Sequence, residues 1–160
     1  MSAVLAIASV ILVLDQLTKA IVLESLSPGV MVPLIDGFVA LTLVLNPGLA
    51  FGLLGGLPRP WRWVVAALSL AALFVLARVA MRVLTPGTVI DRTAIGLIFG
   101  GAVGNLIDRA RFGAVVDFID VHYRGWHWPA FNVADSAISV GVVLLALRLL
   151  TGHSARAEPT

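Results

Sequence analysis

The sequence predicts an all-α membrane protein with four transmembrane helices and a small extracytoplasmic β-sheet between spans one and two. Three observations lead to this prediction. The 160 residues are 59% hydrophobic and only 12% charged, with a mean hydropathy of +1.01, whereas a soluble domain is about 25% charged. The apolar residues fall into four long runs. One segment between the first two runs is instead rich in β-branched residues and turn signals.

Composition also excludes several classes of protein. A soluble domain of this length still exposes about 30% of its unfolded-chain surface, so a core cannot hide this much apolar surface. The net charge is only +2 and no basic stripe is present, so nucleic acid is not an expected partner. The absence of cysteine excludes disulfides, a thiol nucleophile and a cysteine-ligated metal site.

The four apolar runs are interpreted as spans of a single domain that covers residues 1–160. A bilayer core of about 30 Å needs about 20 helical residues, and the first two runs meet that length. The third and fourth are shorter and are expected to end near polar protein surface. The first run lacks a positive n-region and a convincing cleavage site, so a retained span is favoured over a signal peptide. The predicted spans are 3–23, 63–84, 92–108 and 134–150.

Four spans place both termini on one side of the membrane and two longer segments, 25–60 and 109–133, on the other. Lysine and arginine are spread over both sides, so the positive-inside rule does not orient the chain. Within the first long segment, residues 29–51 predict a strand, a turn at Asp36-Gly37 and a second strand. Residues 121–129 predict an aromatic loop suited to the membrane interface.

Glycines recur every fourth residue in the third span, at Gly96, Gly100 and Gly104. This small-xxx-small pattern lets helix backbones approach closely. It predicts close packing of the helices and does not indicate a catalytic role for the glycines.

Polar residues inside such a chain are functional candidates, because a charged group at mid-bilayer costs at least ~2.5 kcal/mol. Asp15 and Lys19 are spaced i, i+4 and can pair on one helix face; a structural ion pair is at least as good an explanation as direct chemistry. Four more polar residues lie near the ends of spans or strands and could equally form a structural layer that holds helix ends together. They are Asn46, Asn105, Asp108 and Arg109.

Asp117 and Asp135 have no local counterion and lie on the same side of the membrane in the four-span topology. Two nearby carboxylates cannot both ionise comfortably and share a proton, which suits general acid–base catalysis. Sharing a side does not establish contact, and a lone carboxylate at a helix N-terminus can simply be favourable capping.

The sequence lacks the motifs that other catalytic mechanisms require. Ser136 and Ser139 have no neighbouring histidine in the sequence, and no GxSxG motif occurs. His122 and His127 have no HExxH motif around them, so no metal site and no cofactor are expected.

Five sequence blocks together resemble the signature blocks of the bacterial lipoprotein signal peptidases, or signal peptidase II. They follow the family order and cover residues 15–138, with one departure: Leu49 stands where the family commonly has alanine. The blocks are DQLTK (15–19), NPGLAFG (46–52), GNLIDR (104–109), VVDFID (115–120) and FNVADSAI (131–138).

The resemblance implies an intramembrane aspartyl endopeptidase that cuts the signal peptide from prolipoproteins just before a diacylglyceryl-modified cysteine. It places the catalytic aspartates at Asp117 and Asp135. From its position near a helix N-terminus, whose dipole favours an anion, we expect Asp135 to be the more easily ionised partner. Seven other residues match signature positions that shape and support the site: Asp15, Lys19, Asn46, Asn105, Asp108, Arg109 and Asn132.

The resemblance also implies a multi-pass protein of the bacterial cytoplasmic (inner) membrane, with both termini cytoplasmic and the site near the outer leaflet. Expected partners are the prolipoprotein substrates and membrane lipids, and the enzyme is expected to be monomeric. A small proton-coupled transporter that uses the same carboxylates is the alternative, and a non-catalytic membrane scaffold is a third class. No inverted repeat, which many transporters have, is evident among the spans.

Overall fold

The computed structural model describes residues 2–48 and 88–154, and between them positions 64, 67–71, 74, 75 and 78, which are helical. The predicted spans 3–23, 92–108 and 134–150 each lie within one helix. Span 63–84 lies mostly outside the described residues, so the four-span count stays a prediction. The elements are α1 (Ser2–Ser25), β1 (Val32–Ile35), β2 (Val39–Asn46), α2 (Val89–Phe112), β3 (Val115–Tyr123), β4 (Trp126–His127) and α3 (Val133–Ser154).

The protein is not all-α, so that part of the predicted fold class is wrong. The strands form one four-stranded antiparallel sheet in the order β1-β2-β3-β4. The strand–turn–strand prediction for β1 and β2 is confirmed, with the turn at Asp36-Gly37. The sheet is not confined to the segment between spans one and two, however, because β3 and β4 follow α2.

Residues 121–129 were expected to be a loop, and that prediction is also wrong. β3 continues to Tyr123 and turns back through Arg124 and Gly125 into β4. Both turn residues have positive φ, 49° and 82°, as a two-residue hairpin turn of type I′ requires. The β-branched and aromatic residues of β3 suit a strand, and pairing with β2 extends from Val39↔Val121 to Asn46↔Val115.

Glycines set the distance between α2 and its two helical neighbours. A Cβ at Gly100 would lie 2.6 Å from the carbonyl oxygen of Ala8 in α1. Towards α3, a Cβ at Gly141 would lie 2.7 Å from the carbonyl oxygen of Ala94. These approaches leave no room for a methyl group, so the predicted close packing is confirmed.

The contacts of these glycines also give the helix directions. Successive glycines of α2, from Gly96 to Gly104, meet α1 from Ile7 to Asp15, so α1 and α2 run parallel. Gly101 meets Ala134 whereas Gly141 meets Ala94, so α3 runs antiparallel to α2. The N-terminal ends of α1 and α2 and the C-terminal end of α3 therefore lie together, and the sheet lies at the opposite end.

Both ends of α2 are capped. Thr88 and Asp91 form a capping box, in which the Asp91 amide donates to Thr88 Oγ1 over 3.2 Å and the Thr88 amide donates to Asp91 Oδ2 over 2.8 Å. At the other end Gly113, with φ 67°, donates its N–H to the Arg109 carbonyl. These caps satisfy backbone groups that a helix end would leave open and fix where β3 begins.

In α1 the apolar side chains are exposed and the charged side chains are buried. Val13 and Leu17 are 62% and 55% exposed, whereas Asp15 and Lys19 are 0% and 2% exposed. Both α1 and α2 are long and apolar enough to cross a membrane by length and composition. A large exposed apolar surface around buried charges suits a helix that faces lipid on one side and a polar site on the other.

Candidate active site

The two predicted catalytic aspartates come from different elements that meet at the sheet end of the helices. Asp117 lies in β3 and is 2% exposed. Asp135 lies in the first turn of α3 and is partly buried. The small apolar cluster of Val22, Leu43, Val116 and Phe118 packs β2 and β3 against α1 beside them.

Asn132 joins the two carboxylates. Its side-chain Nδ2 donates to Asp117 Oδ1 over 2.8 Å, and its backbone N–H donates to Asp135 Oδ2 over 3.3 Å. Its Oδ1 in turn accepts from the Asp135 amide over 2.9 Å. Asn132 and Asp135 thus form a capping box at the start of α3, which holds Asp135 in place, and the same asparagine reaches across to Asp117.

Two further amides complete the hydrogen bonding of the pair. Asn46 Nδ2 donates to Asp117 Oδ2 over 3.0 Å, and Asn105 Nδ2 donates to Asp135 Oδ1 over 2.8 Å. All four carboxylate oxygens therefore accept a hydrogen bond from an asparagine. Among the residues that the structure describes, neither aspartate forms a salt bridge.

This environment changes the acidity of Asp117. Burial raises its pKa to about 7, and repulsion from Asp135 adds to the increase, while the hydrogen bond from Asn46 opposes it. Neutral amides satisfy the oxygens without supplying a positive charge, so the cost of desolvating the anion dominates. Asp117 can therefore hold or release a proton near neutral pH.

A second polar cluster lies beside the pair and contains a cation. Lys19 Nζ lies 2.8 Å from Asp15 Oδ2 and 2.8 Å from Asp108 Oδ2, and it donates to Asn105 Oδ1 over 3.0 Å. The predicted pairing of Asp15 with Lys19 is confirmed. Asp15 Oδ1 also accepts from the Ala134 amide over 2.9 Å, so this cluster holds the start of α3 as well.

Arg109 ties α2 to the chain just after β2. Its guanidinium donates to the Gly48 carbonyl over 3.0 Å and to the Asn105 carbonyl over 3.3 Å. Its Nε is buried and has no hydrogen-bond partner among the described residues. Asn46 also stabilises the chain just after β2, because its Oδ1 accepts from the Gly48 amide over 3.0 Å.

All nine residues singled out from the sequence meet at this end of the molecule, although their catalytic or supporting roles stay predictions. Gln16 belongs to the same end of the molecule but was not predicted; its Nε2 donates to Asp108 Oδ1 over 3.0 Å and to Asp15 Oδ2 over 3.2 Å. Its only sequence signal was its place beside Asp15. Residues 49–52 of the second block lie outside the described residues.

The residues around the pair are asparagines, aspartates, a lysine and an arginine. Three possible metal ligands do come together elsewhere, at the hairpin of β3 and β4: Asp120, His122 and His127. The expectation of no metal was based on the missing HExxH motif, which tests only two histidines one helical turn apart. Histidines paired across two strands escape that test.

Comparison with known proteins identifies the family. The model of the family described as signal peptidase (SPase) II matches residues 7–151. The lipoprotein signal peptidase of Syntrophotalea carbinolica is 45% identical over 143 residues, which is 89% of this chain and 88% of that protein. The lipoprotein signal peptidase of Geobacter sulfurreducens is 45% identical over 139 residues, covering 87% of this chain and 86% of that protein.

Two solved structures, each described as a bacterial membrane enzyme, share the fold. One has a TM-score of 0.80 and 32% identity, covering 100% of this chain and 94% of that chain. The other has a TM-score of 0.72 and 31% identity and covers 94% of each chain. The chain is a membrane protein and belongs to the signal peptidase II family.

Proposed function

We propose that this protein is an intramembrane aspartyl endopeptidase that removes the signal peptide from diacylglyceryl-modified prolipoproteins, cutting just before the lipidated cysteine. Family membership supports a signal peptidase, and the names of the relatives support prolipoproteins as substrates. The observation that carries the aspartyl mechanism is the arrangement of Asp117 and Asp135. Both are held by Asn132, and neither is neutralised by a salt bridge among the described residues.

In the proposed reaction the two aspartates have different roles. Asp135 lies in the first turn of α3, where the helix dipole favours an anion, so it takes a proton from the attacking water. The water oxygen bonds to the scissile carbonyl carbon, and Asp117, with its pKa raised to about 7 by burial, gives its proton to the carbonyl oxygen. The tetrahedral intermediate then collapses: Asp117 takes the proton back from the hydroxyl group, the C=O bond re-forms, the C–N bond breaks, and Asp135 gives its proton to the leaving amine. This sequence needs no metal and no covalent intermediate.

The surrounding residues position these groups. Asn46, Asn105 and Asn132 fix the four carboxylate oxygens. The ion-paired cluster of Asp15, Lys19 and Asp108 braces α1, α2 and the start of α3. Arg109 holds the chain after β2 near the pair through its hydrogen bond to the Gly48 carbonyl.

We place the enzyme in the bacterial cytoplasmic membrane as a multi-pass monomer, with both termini cytoplasmic and the site near the outer leaflet. The helix directions support several crossings: α1 and α2 run parallel, so residues 48 and 88 lie at opposite ends of the helices. The site's position at one end, beside the sheet, suits the substrate. A lipidated cysteine keeps its acyl chains in the bilayer, so its peptide bond must be cut at the membrane edge.

The proton-coupled transporter receives no support from the comparisons, since the relatives and the family are signal peptidases. The carboxylates also lie at one end of the helices, whereas transport sites usually lie near the bilayer midplane. A scaffold in which these residues are merely structural would not need two aspartates that form no salt bridge with any described cation.

A cleavage assay tests the proposal. Purified protein in detergent is incubated with a prolipoprotein in its diacylglyceryl-modified and unmodified forms, and products are separated on a gel. We expect cleavage of the lipidated form alone, lost in both Asp117→Asn and Asp135→Asn. Equal cleavage of both forms would overturn the substrate assignment, and cleavage that survives either substitution would overturn the aspartyl mechanism.

A further inference from the structure

A third polar cluster lies on the hairpin of β3 and β4 and has no part in the proposed peptidase reaction. Asp120 and His122 are two residues apart in β3, so their side chains point to the same face of the strand. His127 in β4 pairs directly with His122 in the strand register, which places all three side chains together. Asp117 is an odd number of residues from both Asp120 and His122 and belongs to the other face.

The distances within the cluster are short. His122 Nδ1 lies 2.7 Å from Asp120 Oδ1, and His127 Nδ1 lies 2.9 Å from Asp120 Oδ2. The two imidazole rings are stacked with centroids 5.0 Å apart. Asp120 is 7% exposed, whereas the side chain of His127 is 48% exposed. The cluster therefore has a buried carboxylate at its base and an imidazole that solvent can reach.

These three donors form a recognised kind of metal-ligand set. Each residue offers one ligand atom, and the three atoms all lie within 4.8 Å of one another. Two imidazole nitrogens and one carboxylate oxygen suit Zn²⁺, which takes nitrogen and oxygen ligands at about 2.0–2.2 Å in a tetrahedron. Neighbouring ligand atoms would then stand about 3.3 Å apart, a few tenths of an ångström wider than the present hydrogen bonds. Three protein ligands leave the fourth position to water.

We propose that Asp120, His122 and His127 form a binding site for a divalent transition metal, with Zn²⁺ as the first candidate. The ion would join β4 to β3 beyond the two-residue turn, where β4 is only two residues long. The alternative is a latch without metal, in which Asp120 accepts an Nδ1–H hydrogen bond from each neutral histidine. This site does not depend on the peptidase assignment, because none of its residues takes part in the proposed reaction.

Zinc titration of the tag-free protein in detergent, against a chromophoric competing chelator, tests the site. We expect one saturable site per chain, with affinity weakened more than about tenfold in His122→Gln and in His127→Gln. The matched control is His153→Gln, which changes the chain's third histidine, near the C-terminal end of α3. It should bind Zn²⁺ as the wild type does.

Thermal unfolding supplies a second readout that does not involve peptidase activity. A ligand that binds only the folded state raises Tm, so Zn²⁺ should raise the Tm of the wild type and of His153→Gln but not that of His127→Gln. His127 is about half exposed, and glutamine keeps a hydrogen-bond donor that can serve Asp120, so the metal-free Tm of His127→Gln should stay close to that of the wild type, which shows that the variant folds. The absence of saturable binding in the wild type, or equal affinity in His127→Gln, would overturn the metal site and leave the latch.

Discussion

Two polar clusters at the sheet end of the helices each contain two aspartates, but the partners of those aspartates differ. Asp15 and Asp108 share the ammonium group of Lys19, each at 2.8 Å. Among the residues that the structure describes, Asp117 and Asp135 receive side-chain and backbone hydrogen bonds only from asparagines at their carboxylate oxygens, and no cation forms a salt bridge with either. Asn105 connects the clusters, because its Oδ1 accepts from Lys19 while its Nδ2 donates to Asp135.

This difference in partners indicates that the ion-paired cluster has a structural role and that the pair of Asp117 and Asp135 is the reaction centre. An adjacent cation favours the charged form of a carboxylate and holds it in one state. Neutral amides orient a carboxylate without fixing its charge, so a buried aspartate such as Asp117 can exchange a proton at neutral pH. We therefore expect substitutions in the first cluster to reduce mainly stability and substitutions in the second to reduce mainly catalysis.

The largest effect is expected from Asp117→Asn and Asp135→Asn. Each removes one of the two proton-transfer groups, and general acid–base catalysis contributes about 10²–10⁴-fold, so kcat should fall by that factor or more. The measurement is initial cleavage rate at saturating lipidated substrate. Asp36→Asn, in the exposed turn between β1 and β2, is the control and should retain the wild-type rate. Near-normal rates in Asp117→Asn or in Asp135→Asn would show that the two aspartates are not the reaction centre.

Lys19→Met should instead reduce stability. It leaves Asp15 and Asp108 buried without their cation, a change that typically costs about 3–5 kcal/mol. Thermal or denaturant unfolding in detergent measures this loss. Adding Asp108→Asn should recover part of it by removing one uncompensated charge, and the folded fraction of Lys19→Met should still cleave substrate. A variant as stable as the wild type would show that the ion pairs are not a brace.

Asn132→Ser separates the two roles of Asn132, which caps α3 and donates a hydrogen bond to Asp117. Serine is also a good N-cap, so α3 should keep its start, but the hydrogen bond from Nδ2 to Asp117 is lost. A misplaced catalytic group can cost about 10²-fold, so kcat should drop by about that factor while Tm changes little. If Tm falls sharply and the kcat of the folded protein is unchanged, Asn132 is only a cap.

The last prediction concerns the pH dependence of stability. The folded pKa of Asp117, about 7, lies above its ordinary value of 3.8, so the folded protein binds this proton more tightly than the unfolded chain does. The resulting stability is present at low pH and is lost as pH rises from about 4 to about 7, at up to about 1.4 kcal/mol per pH unit.

Tm measured across that range should therefore fall less steeply for Asp117→Asn than for the wild type. Asp36→Asn again serves as the control and should keep the wild-type slope. Identical slopes for Asp117→Asn and the wild type would mean that Asp117 is not buried as an acid.

Much of the site was predictable because the cost of a polar group in an apolar run is visible locally. Asp15, Lys19, Asp117 and Asp135 each interrupt or border such a run, and the i, i+4 spacing predicted the pairing of Asp15 with Lys19. Glycine spacing in α2 predicted its close contacts with α1. These features depend on a few neighbouring residues in the chain.

The remaining features depend on partners far away in the sequence. β3 was not predicted, because its strand character is stabilised by pairing with β2, and the hydrogen bond between Asn46 and Asp117 spans 71 residues. The bridging role of Asn132 needs both β3 and α3 in place. The histidine pair was missed because the turn at Arg124-Gly125 was read as part of a loop, so the cross-strand register was not considered.

The pH–rate profile of kcat/KM for the lipidated substrate tests the central claim, that Asp117 and Asp135 work as one acid and one base. We predict a bell-shaped profile whose descending limb lies near pH 7, where Asp117 loses the proton that it gives to the carbonyl oxygen. A rate that stays flat or keeps rising above about pH 8 would contradict that role.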